Sequence, residues 1–120
     1  MDILVTNNPM AYKFCKDEYQ IEFLDASFLD VLIYVRDLVH VGHALLTHPL
    51  SGSVKPNETP YKSVLLSKRK NTADEQSVKI IGECVLFAQK FIPRNIPDHL
   101  LKDMQVVDYS LIRCAIDSVS

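Results

Sequence analysis

Four residues near the start of the chain, Ile3-Leu4-Val5-Thr6, narrow the choice of folds sharply. They show no apolar–polar alternation, and Asn7-Asn8-Pro9 stops them at once. A short β-branched run ended by turn residues reads as a buried strand. A strand without a polar face needs cover above and below, which helices provide in an α/β domain.

The rest of the chain fits that frame. Pro9 suits the first turn of a short helix over 10–16, with Asn8 as its cap. Residues 19–24 alternate enough to predict a second strand, and Asp25-Ala26 turn the chain. Ser27 with Asp30 resembles a capping box, with Asp in place of the usual Glu or Gln. The helix it opens runs over 27–40, and Gly42 suits the position after it, where glycine takes a positive φ cheaply. Ala44-Leu45-Leu46-Thr47, ended by His48-Pro49, predicts a third strand. A long loop over 50–62 follows, punctuated by Pro56 and Pro60, and a fourth strand spans 63–68. Thr72 with Glu75 is a capping box for a helix running to about 92. Its residues Val78, Ile81, Val85, Ala88 and Ile92 form one apolar stripe. Beyond the break at Pro93 and Pro97, two shorter helices are expected over 98–104 and 108–118.

This order predicts a small open, mainly parallel four-stranded sheet with helices on its faces. Right-handed crossovers give the strand order 2-1-3-4, with strand four antiparallel because no helix separates it from strand three. The 120 residues, 48% of them hydrophobic, suffice for a single domain over 1–120 with one core.

Charge and hydropathy exclude several classes. The net charge is −2, which weighs against a nucleic-acid partner, where a basic surplus supplies affinity. No apolar run approaches the ~20 residues needed to cross a bilayer. The start, MDILVTNNP, has no basic segment followed by a long apolar stretch, so a cytoplasmic protein is expected. Cys15, Cys84 and Cys114 are odd in number and scattered, with apolar neighbours. They read as reduced, buried small hydrophobes.

The chemistry concentrates at one sheet edge. In the expected topology, Thr6-Asn7-Asn8 and Thr47-His48 end neighbouring parallel strands, where open α/β sheets bind ligands. The 50–62 loop starts and returns there. Asn7, Asn8, Thr47, His48, Ser51, Gly52, Ser53, Lys55, Asn57, Tyr61 and Lys62 are therefore expected to line one cleft. Ser-Gly-Ser offers hydroxyls and converging N–H donors, and Lys55 and Lys62 add charge, so the set favours an anion. It is not a phosphate loop, which needs two glycines and a Gly-Lys-Ser/Thr ending. A metal is not expected. His43 and His48 would sit at opposite ends of a strand rising ~3.3 Å per residue, and His40 suits a helix C-terminus. No motif asks for a cofactor. Ser51 with His48 as base gives a second, enzymatic reading, without any nucleophile motif behind it.

Thr6-Asn7-Asn8-Pro9, together with the long stretch RDLVHVGHALLTHPLSGSVKPNETPYKS over 36–63, resembles the GrdX family. The resemblance is dense over about a quarter of the chain and continues through its length. It implies a small cytoplasmic protein of anaerobic bacteria, encoded with the selenium-dependent glycine, sarcosine and betaine reductases. It brings no catalytic residues. Two expectations follow. The first is an accessory binding or interaction module of that reductase system. Its partner would be a small phosphate-like or acyl phosphate anion, such as the system's acetyl phosphate, or a reductase-system protein. The second is a small enzyme acting on an acyl or phosphoryl group with His48 as acid or base. The sequence leaves open which applies, and whether the chain forms a homo-oligomer.

Overall fold

The computed structural model describes residues 1–52 and 54–119. Their elements follow in the order β1 (Ile3–Thr6), α1 (Pro9–Cys15), β2 (Gln20–Phe23), α2 (Phe28–His40), β3 (Ser63–Leu66), α3 (Glu75–Ala88) and α4 (Asp98–Val119). The three strands form a mixed sheet in the order β2-β1-β3. β1 runs parallel to β2, with Ile3 opposite Gln20, and antiparallel to β3, with Thr6 opposite Ser63.

The α/β class is as expected, but the sheet has three strands and is not mainly parallel. Residues 44–47 form no strand and touch β3 through a single bridge, Leu45 to Leu66. The reason lies in hydroxyl groups that occupy ladder positions. Ala44 N donates to Ser67 Oγ and Leu65 N donates to Thr47 Oγ1, while Leu45 N, on the side away from β3, donates to Ser77 Oγ. Side-chain acceptors of this kind compete directly with strand pairing. The segment therefore lies on the outer edge of β3, and the expected fourth strand takes the place beside β1.

Alternation of side chains across the sheet divides the interior in two. Ile3, Val5, Val64 and Leu66 face α2 and α3, packing on Phe28, Val31, Val35, Ile81 and Val85. Leu4 and Leu65 face α1 and α4, packing on Ala11, Cys15, Ile112 and Ile116. The domain is thus three layers, helices–sheet–helices.

Local signals explain most helix ends. Asn8 caps α1, its side chain accepting from Met10 N, with Pro9 in the first turn. The Ser27–Asp30 capping box is formed in full. Gly42 has φ +115°, and a Cβ there would collide with the Asn71 carbonyl. Two expectations are corrected. α3 is capped by Asp74 and not Thr72, because the Asp74 carboxylate takes both the N–H and the hydroxyl of Ser77, and the helix ends at Ala88. α4 is one 22-residue helix where two were expected: Gln105-Val106-Val107 holds no Gly or Pro to break it, and Asp108 is not a cap. No helix among the described residues is long and apolar enough to cross a membrane.

Candidate functional site

The carboxyl end of β1 is closed by polar side chains that arrive from four directions. β1 ends in Thr6, β3 begins with Ser63, α1 is capped by Asn8, and α4 contributes Asp108. All four are buried. Asn8 N donates to Thr6 Oγ1 at 2.9 Å, and the Thr6 and Ser63 hydroxyls lie 2.6 Å apart. Ser63 Oγ donates to Asp108 Oδ2 at 2.8 Å. A hydroxyl has one proton to give, so Thr6 must donate to Ser63. Asn8 Nδ2 adds a second donor to the same Oδ2, at 2.9 Å. The chain of donors runs one way, toward the Asp108 carboxylate, and such chains polarise one another.

Lys62 stands on the other side of the sheet plane from Ser63, as strand alternation requires. It is only 7% exposed. Its ammonium lies 5.6 Å from the centre of the Phe28 ring, a cation–π contact. No carboxylate lies within ion-pair distance of it among the described residues. Burial pushes the Lys62 pKa down, with the Asp108 charge opposing. Burial likewise pushes Asp108 up, against the pull of Asn8, Ser63 and Lys62. The Cys84 thiol, also within the field of Lys62, is pushed up to about 11 by burial. Two buried ionisable groups shifted in opposite directions, sharing a recess, mark a functional-site candidate on physical grounds.

The recess is small. Phe28, Val54, Thr59, Tyr61, Lys62 and Asp108 line it, and its volume of about 10 Å³ admits one water-sized group. Phe28 and Thr59 also wall a larger cleft of about 240 Å³ between the start of α2, the loop at 56–60 and the segment after α3. The two hollows are therefore next-door neighbours.

The expected site residues separate into three groups. Lys62, Tyr61 and Asn8 do meet at the recess or the network behind it. Tyr61 lines the recess, and its hydroxyl accepts from Gln105 Nε2 at 3.1 Å. Asn7 lies behind as a staple: Nδ2 donates to the Ala26 and Pro60 carbonyls, and Oδ1 accepts from Lys62 N. Asn57 lines the larger cleft, its Oδ1 buried without a partner among the described residues.

The others lie elsewhere. β3 stands between the Thr6 and Thr47 ends, so the expected neighbouring strand ends are not neighbours. Thr47 is buried and spends its hydroxyl on Leu65 N. His48 is exposed, its Nδ1 accepting from Leu50 N, and it lines a separate groove with Glu83 and Lys90. Ser51 N donates to the His48 carbonyl. Gly52 packs toward Leu111 of α4, and Lys55 is exposed, its N–H donating to Glu58. Ser53 lies outside the described residues. The cysteines divide too: Cys15 and Cys84 are buried, whereas Cys114 is exposed, because it falls on the outer face of the long α4.

Sequence reasoning missed Asp108, Ser63 and Thr6. The signal for Asp108 was available: it shares a helical stripe with Ile112 and Ile116, at i, i+4 and i+8, which places a carboxylate on an inward face. Reading residue 108 as a helix start hid it.

The family model for GrdX-like protein matches residues 3–117 of the chain. No curated protein and no solved structure matches it.

Proposed function

The chain belongs to the GrdX-like protein family, and from that premise we propose that it is a cytoplasmic accessory protein of a glycine, sarcosine or betaine reductase system that binds a small anion. The reductase context rests on the family resemblance. The anion rests on one observation above all: Lys62 is only 7% exposed, and its ammonium faces the Phe28 ring with no carboxylate within ion-pair distance among the described residues. Burying an ammonium costs free energy unless something compensates it. The Phe28 ring and the more distant Asp108 supply part of that, and a carboxylate or phosphoryl oxygen entering the recess supplies the rest. An acyl phosphate carries such an oxygen, and a reductase-system protein is the partner this reading expects. The enzymatic reading with His48 draws nothing from this recess, because His48 lies in another groove.

Thermal unfolding in phosphate or acetate against chloride at matched ionic strength tests the reading. At ten times its dissociation constant a bound anion adds about 1.4 kcal/mol, which is about 5 °C for a domain of this size. Lys62→Met is expected to abolish the difference. Midpoints that follow ionic strength alone would refute anion binding.

A further inference from the structure

We propose that the ligand of this site is a short-chain monocarboxylate of butyrate-to-hexanoate length, its head against Lys62 and its chain in the adjoining cleft. This rests on the anion reading above and goes further, because it names what the anion is attached to. The recess admits a single water-sized group, so only the charged end of a ligand fits it. The cleft past Phe28 and Thr59 shares those two lining residues with the recess, against Val54 alone for the hollow at Leu50, Lys55 and Phe87, and it takes the remainder. Its volume is about 240 Å³, and its walls are mainly Phe28, Leu29, Pro60, Phe91, Pro93 and Ile96. Its size is below the range of ordinary drug-sized pockets, which suits a short chain.

Two of the polar groups around that cleft are committed, and the Asn57 Oδ1 acceptor is not. Ser27 Oγ accepts from Asp30 N in the α2 cap, and Thr59 Oγ1 accepts from Tyr61 N. No acidic residue lines the cleft among the described residues, and its one charged lining residue is Arg94. The wall is thus apolar with a cation at each side, Lys62 inward and Arg94 at the rim. That pattern complements an apolar chain with one negative end. A polyol would leave that apolar wall uncovered.

Titrations of the full chain with acetate, butyrate and hexanoate at matched ionic strength, followed by nuclear magnetic resonance, test this. The affinity is expected to tighten about two- to fourfold per added methylene, with shift changes at Phe28 and Thr59 and then at Phe91 as the chain lengthens. Phe91→Ala is expected to reduce the chain-length gain while leaving acetate binding unchanged. Equal affinity for all three acids, with acetate still bound at Lys62, would overturn the chain and leave the anion reading standing. Failure of every anion to bind would overturn both. A chain-length gain that survives Lys62→Met but is lost in Arg94→Ala would place the head at the rim and refute the arrangement proposed.

Discussion

Lys62 and Asp108 are where this fold spends stability on chemistry. Each is charged in water and each is buried, so each titrates away from its ordinary value in the direction that favours neutrality. For Asp108 the native pKa lies above the unfolded one. The native state therefore holds more protons than the unfolded chain as pH climbs from the ordinary carboxylate value through the native one, and stability falls across that window. For Lys62 the native pKa lies below the unfolded one. There the unfolded chain holds more protons, and stability rises with pH from the native value toward the ordinary lysine value. Urea unfolding across pH is expected to show the acid-side decline flattened in Asp108→Asn and the alkaline rise flattened in Lys62→Met. Asp108→Ala is expected to cost about 1–3 kcal/mol at neutral pH, because Ser63 and Asn8 lose their acceptor. Unchanged pH profiles in both variants would mean that neither group is buried in solution.

At the level of elements, two departures from sequence reasoning, the unpaired segment 44–47 and the start of α3, share one cause: side-chain hydroxyls and carboxylates overrode local pattern. The strand Ile3–Thr6 was legible because an apolar run between turn residues has few other uses. The α2 cap was legible because Ser27 and Asp30 act within one turn. The segment 44–47 was not, since its ladder positions are taken by hydroxyls, one of them from Ser67, twenty-three residues beyond Ala44. No local window contains that information. Ser77 Oγ accepts from Leu45 N and donates to the Asp74 carboxylate, so it joins the α3 cap to the edge of β3. Ser77→Ala is expected to destabilise by about 1–2 kcal/mol. Hydrogen exchange would show faster exchange at Leu45 N than in the wild type, with β1 amides little changed. Equal protection at Leu45 would show that the hydroxyl is not its acceptor.

For the molecule as a whole, the three layers bring together what the chain keeps far apart. Lys62 and Asp108 are 46 residues apart in the chain, yet both line one recess because β3 enters the sheet beside β1 and α4 packs across its far face. The position of Lys62 near the end of β1 was legible in its place at the return of the 50–62 loop, whereas the strand-end rule grouped it with Thr47 and His48, which lie elsewhere. Its actual partners were not legible, because they depend on which strand sits beside β1, and short strands carry little information about their order. The most direct test is the titration of the Lys62 ammonium itself, followed by its side-chain resonances in protein labelled at lysine, with and without saturating acetate. The site described here predicts a pKa below that of an ordinary lysine in the free protein and a rise when acetate binds, since an anion favours the charged form. An ordinary lysine titration in the free protein, or one that acetate leaves unmoved, would contradict it.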